Sequence, residues 1–105
     1  MQSTCAATIF VIQKSVRYAW DGAKAEANLA KHGVSMEAVR GFDWKSAVEV
    51  EDDRFDYGER RMIAIGFIGD RLHVLIYVRR HAWRRVISLR KANDRERARY
   101  EQATK

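Results

Sequence analysis

Two short clusters in this chain carry side chains suited to acid–base or phosphate chemistry. Glu59 and Arg61 stand two positions apart in Gly58-Glu59-Arg60-Arg61, just ahead of an apolar run. A carboxylate there can take a proton or orient a neighbour, and the planar guanidinium fork of an arginine matches phosphate oxygens. The same two residues could equally form a strand-end salt bridge. Arg79, Arg80 and His81 close the next run. His81 can act as acid or base near neutral pH, although a lone histidine in a turn is more often only solvated. Further on, Arg84 and Arg90 have the same parity as Val86 and Ser88, so strict alternation puts all four on one strand face. That face would meet either a polyanion or water. Tyr77 and Trp83 could stack on bases, or pack in the core and against a partner.

The charge distribution points the same way. Gly58 to Ala92 holds nine of the twenty Lys and Arg residues against two acids, Glu59 and Asp70, so it carries +7. The other residues have eleven basic and twelve acidic side chains, and the net +6 of the protein therefore sits on this stretch. A pI near 9.8 favours a polyanionic partner, nucleic acid ahead of an acidic membrane or an acidic protein.

The elements that must position these residues follow from patterning. With 105 residues and 47% hydrophobic content, the chain is expected to form one globule. Residues 1–15 read as an apolar extension or edge strand, and 16–105 as a single domain. Val16, Tyr18 and Trp20 alternate with polar or small residues, as in a half-buried strand. Asp21 can cap a helix that ends at Gly33, and Ser35 a shorter second one. Lys24, Asn28 and Lys31 or His32 recur at helical spacing and share a polar helix face, which could border a cleft or only meet solvent. Val48 and Val50 mark a weak strand before an acidic loop of Glu51, Asp52, Asp53 and Asp56. Three strands follow, with Gly69-Asp70 as a tight turn. His73 faces its neighbours across the sheet. Asn93 with Glu96 three residues on makes a capping box for a last, charged helix. The class is α+β in the order β-α-α-β-β-β-β-α, with a mainly antiparallel sheet packed on helices.

Several chemistries find no motif. A single cysteine, Cys5, allows no intramolecular disulfide and no cysteine cluster for zinc, and suits a reducing cytoplasm. The acidic loop fits neither an EF-hand nor a two-metal carboxylate site; it reads as solvated, or as cover for the basic sheet. No Gly-rich phosphate loop, nucleophile elbow or metal-binding histidine pair occurs, so neither cofactor nor metal is expected. The apolar run from Ala6 to Ile12 is too short to span a bilayer and has no signal-peptide flanks.

One set of motifs goes further. Trp20, Asp21, Lys24, Asn28, Lys31, His32, Gly33, Val34 and Ser35 fill the pattern W-D-x-x-K-x-x-x-N-x-x-K-H-G-V-S. Gly58-Glu59-x-Arg61, Ile65-Gly66, Tyr77 with Arg80, Ile87-Ser88-x-Arg90-Lys91-Ala92, and Glu96 with Tyr100 follow in order. Over about residues 18–101 the chain resembles the BrnT family, the toxins of type II BrnT/BrnA toxin–antitoxin modules. It departs from the family in residues 1–17, which are extra, and at Leu89, where alanine is usual.

The resemblance implies a RelE-like fold and a metal-independent endoribonuclease that inhibits translation. It also implies a BrnA-like antitoxin partner, a DNA-binding ribbon-helix-helix protein, in a heterotetramer of two plus two. Metal-independent RNA cleavage needs a base for the 2′-OH, a cation for the phosphorane and an acid for the leaving 5′-oxygen. The expected catalytic residues are Glu59, Arg61, Arg80 and His32; Lys24, Arg79, Arg84, Arg90 and Lys91 are the expected RNA contacts. The competing reading is a non-catalytic nucleic-acid- or protein-binding module using the same basic sheet.

Overall fold

A computed structural model describes residues 16–54 and 58–105; the expected extension at 1–15 lies outside the described residues, as does part of the acidic loop. The chain runs β1 (Arg17–Ala19), α1 (Gly22–His32), a 3-10 helix (Met36–Gly41), β2 (Val48–Asp52), β3 (Arg61–Ile68), β4 (Arg71–Arg80), β5 (Trp83–Lys91) and α2 (Asp94–Ala103). The strands form one five-stranded sheet in the order β1-β5-β4-β3-β2. β2 to β5 make an antiparallel meander, and β1 joins its far edge in parallel with β5.

Local chemistry sets the ends of the elements. The Asp21 carboxylate accepts the Lys24 backbone N–H at 3.0 Å, and Gly33 closes α1 at φ 71°, a left-handed value that costs glycine little. The expected second helix is a 3-10 segment capped by Ser35. The capping box forms as expected: Asn93 Oδ1 takes the Glu96 N–H at 2.8 Å, and Glu96 Oε1 takes the Asn93 N–H at 2.9 Å.

Alternation along the strands gives the sheet two apolar faces, each covered by helix. On the front face, Ala64, Leu75, Tyr77, Val86 and Leu89 pack under α1 and the 3-10 helix with Val34, Met36, Val39 and Phe42. On the back face, Ile65, Leu72 and Val74 pack with Ala92 and with Tyr100 of α2. At Gly66 the front face lies close under its cover. A Cβ there would stand 2.7 Å from Cζ of Phe42 and 3.1 Å from Cβ of Ala47.

One irregularity corrects the reading of β5. Tyr77 pairs with Val86, while Ile76 pairs with Ser88, so Ile87 is an extra residue in a β-bulge. Arg84 and Val86 therefore lie on the front face with Tyr77, and Ser88 and Arg90 on the back with Ile76. The single face expected to carry both Arg84 and Arg90 does not exist.

Candidate nucleic-acid interface and active site

The β4–β5 turn gathers the basic residues. Arg79 and Arg80 end β4, His81 takes φ 50° in the turn, and Arg84 and Arg85 follow in β5. Arg79 pairs directly with Arg84, and Arg80 with Trp83. Arg79 and Arg84 thus point to the front of the sheet, and Arg80 to the back. A cavity of about 390 Å³, lined by Arg60, Met62, Arg79 and His81, opens at this end.

Carboxylates hold several of these arginines. Glu59 accepts a 2.6 Å charged hydrogen bond from Arg80 Nη2, an ion pair between two expected catalytic residues 21 positions apart. Glu49 accepts from the Tyr77 hydroxyl and, at 3.4 Å, from Arg79 Nη2. Arg79 also donates to the Tyr77 hydroxyl at 3.3 Å. Arg60 lies 3.1 Å from Glu51. The acidic segment does cover basic residues, and β2 brings its carboxylates to them. Burial raises the Tyr77 pKa, helped by the hydrogen bond and charge of Glu49 and opposed by Arg79, so the phenol stays a proton donor at neutral pH.

Arg84 is held differently. Its guanidinium lies 3.9 Å from the centre of the Trp44 ring and 5.7 Å from that of Tyr77. Trp44 is in turn fixed by an edge contact with Phe42 at 4.7 Å and by donating Nε1–H to the Tyr18 hydroxyl at 2.6 Å. Among the described residues, Arg84 Nε is buried with no hydrogen-bond partner.

Of the other expected site residues, Arg61 stays at this end of the sheet, two positions after Glu59. Arg61 starts β3 between Asp52 and Val78. His32 ends α1 beside Arg90. Partial burial, then the charges of Lys31 and Arg90, lowers its pKa and favours neutral imidazole. Arg90 lies seven residues along β5 from Trp83, roughly 23 Å at strand rise, so His32 is not gathered with Glu59 and Arg80. Arg90 is itself bound by both Glu96 oxygens, at 2.8 and 2.6 Å, which raises its pKa and lowers that of Glu96. Lys91 is exposed opposite His73 at the same far end. His73 is buried, with Nδ1 2.9 Å from the Arg71 carbonyl.

On α1, Lys24 is exposed, but Asn28 is buried. Asn28 donates to the Val34 and Leu89 carbonyls at 3.0 and 2.7 Å and accepts from the Leu89 N–H at 3.1 Å. That helix face therefore docks on β5 instead of bordering a cleft. Tyr77 is fully buried and cannot stack on a base, whereas Trp83 is 44% exposed, with Arg17 5.6 Å from its ring centre.

Sequence reasoning missed Glu49 and Trp44. Glu49 lay between the two valines of the weak strand, 28 residues before Tyr77. Trp44 sits outside every periodic segment, and only tertiary packing shows its role.

Among the described residues, no three His, Cys, Asp or Glu side chains are placed to share a metal ion. No described helix is long and apolar enough to cross a membrane. The family model described as "Ribonuclease toxin, BrnT, of type II toxin-antitoxin system" matches residues 20–96. No curated protein matches the chain.

Proposed function

This chain belongs to the BrnT family, the ribonuclease toxins of type II toxin–antitoxin systems, and we propose that it cleaves RNA without metal at the β4–β5 turn and so inhibits translation. The observation that carries this reading is the convergence of Arg79, Arg80, Arg84 and His81 at one end of the sheet, two of the arginines pairing with acids. An RNA strand crossing that end meets Arg79 and Arg84 on one side and Arg80 on the other. The arginines take the charge of the phosphorane, Glu59 orients Arg80, and His81 gives the leaving 5′-oxygen its proton. Lys24, Lys91 and Trp83 extend the contact surface. Arg61 steadies the start of β3, and His32 and Arg90 flank the far end of β5.

A type II family implies an antitoxin. The partner in this reading is a BrnA-like, DNA-binding ribbon-helix-helix protein that occludes the toxin in a heterotetramer, in the cytoplasm. The RelE-like assignment of the fold belongs to the same reading, supported by helices that precede an antiparallel meander.

Incubation of the purified chain with RNA in excess EDTA tests the activity. Cleavage products are expected, and their loss in Arg80→Ala. Salt-dependent RNA binding with intact RNA would instead favour the binding-module reading.

A further inference from the structure

We propose that Glu49 is the general base of this ribonuclease and that Tyr77 is the residue that positions it. The assignment rests on the ribonuclease reading and fixes which carboxylate does the chemistry.

Three glutamates reach the basic end of the sheet, and one of them, Glu51, is engaged by Arg60 at 3.1 Å. Glu59 stands in the connection ahead of β3 and holds Arg80. Glu49 stands within β2, opposite Ala64, and its place is set by the ladder itself. A base must hold its geometry closely, and residues on strands hold it better than residues on loops.

The surroundings of Glu49 strengthen the case. Among the described residues, its two hydrogen-bond donors, the Tyr77 hydroxyl and Arg79 Nη2, both bind Oε1. An ionised carboxylate only accepts, so Oε2 remains for a substrate hydroxyl. The Tyr77 ring is fully buried and meets the Trp44 ring edge-on at 5.4 Å. It is a rigid post, and its raised pKa keeps it a donor. The Glu49 side chain is 31% exposed, so solvent and substrate can reach it. Arg79 links it to the open cavity, which Met62, the cross-strand partner of Tyr77, also lines.

In the step itself, the 2′-oxygen of RNA bonds to the adjacent phosphorus while its proton passes to Glu49. Arg79 and Arg84 take the charge that develops on the phosphoryl oxygens. The P–O5′ bond breaks, and its electron pair leaves on the 5′-oxygen, which takes a proton from His81. The products are a 2′,3′-cyclic phosphate and a 5′-hydroxyl.

The test compares purified wild type, Glu49→Gln, Glu59→Gln and Tyr77→Phe on one RNA oligonucleotide, with its all-2′-deoxy analogue as a binding probe. Circular dichroism checks that each variant is folded. Glu49→Gln is expected to lose about 10²–10⁴-fold in kcat, the usual contribution of a general base. Its affinity for the deoxy analogue should be equal to wild type or tighter. Glu59→Gln should act mainly on KM. Tyr77→Phe should move the acidic limb of the pH–rate profile upward, because the carboxylate loses a donor, an effect a purely structural role would not have. Glu49→Gln within about threefold of wild type in kcat, or an unmoved limb in Tyr77→Phe, overturns the assignment and leaves the ribonuclease reading standing. RNA left intact by the folded wild type overturns both.

Discussion

Arg79 and Arg84 stand directly opposite each other across the β4–β5 ladder, on the same face of the sheet. Like charges so placed repel, and the repulsion is eased from outside the pair. Glu49 takes hold of Arg79, and the Trp44 ring lies under Arg84. The fold thus maintains a concentration of positive charge at some cost to itself, as expected where charge serves binding. Arg84→Met is expected to leave thermal stability unchanged or higher while weakening RNA binding. The slope of log K against log salt should fall in magnitude by about 0.7, the share of one phosphate contact on a single strand. Binding isotherms at several salt concentrations measure this.

Asn28 shows how far a motif residue can serve the fold alone. It satisfies two carbonyls and one N–H, tying α1 to the Val34 turn and to β5. Asn28→Ala would leave these backbone groups buried without partners, at a cost of about 3 kcal/mol. Asn28→Asp should cost as much, since a carboxylate cannot donate to the two carbonyls. Urea denaturation of both variants checks this, with a lower midpoint and an unchanged slope expected.

Gly66 is constrained by contact, since its φ does not lie in the left-handed region. Gly66→Ala would press a methyl group into the Phe42 ring. Because Phe42 is buried and holds Trp44 edge-on, the ring has little room to yield. Overpacking of this kind costs about 1–3 kcal/mol. Gly66→Ala paired with Phe42→Leu should recover part of the loss, and thermal melts of the single and double variants separate the terms.

The Arg90–Glu96 bridge gives a pH signature. The hydrogen bond from Arg90, more than any other cause, holds the Glu96 pKa below its ordinary 4.5 in the folded protein. A carboxylate with a depressed folded pKa stabilises above its unfolded value and loses that contribution as pH falls. Stability from this pair should be complete above about pH 4.5 and decline below it. Arg90→Ala should cost about 2 kcal/mol at neutral pH, the scale of a charged hydrogen-bonded pair. The variant's disadvantage should shrink below pH 4, as seen in denaturation midpoints measured across pH.

Much of the architecture was legible in the chain. Asp21, Gly33, Ser35 and the Asn93–Glu96 box marked helix ends by chemistry that acts within a few residues, and period-two alternation marked the meander. Faces were less legible. The apolar doublet Val86-Ile87 fits alternation on either face, so the bulge at Ile87 appears only against the register of Tyr77 and Ser88. Asn28 read as a surface residue because a polar side chain among helical lysines usually is one, and its partners are backbone groups that carry no sequence signal. The site was half legible for a related reason. Arginines and His81 cluster along the chain, whereas Glu49 reaches Tyr77 and Arg79 only across the sheet.

The parallel pairing of β1 with β5 has a consequence for how the molecule comes into being. Arg17 joins Trp83, so the first of the described strands waits 66 positions for its neighbour in the sheet. Closing a loop of that length carries an entropic cost that no local contact offsets until β5 is in place. A nascent chain can therefore form the hairpin of β2 and β3 while β1 still lacks its partner in β5. The edge strand that flanks the basic turn is therefore the last of the described strands to find its place in the sheet.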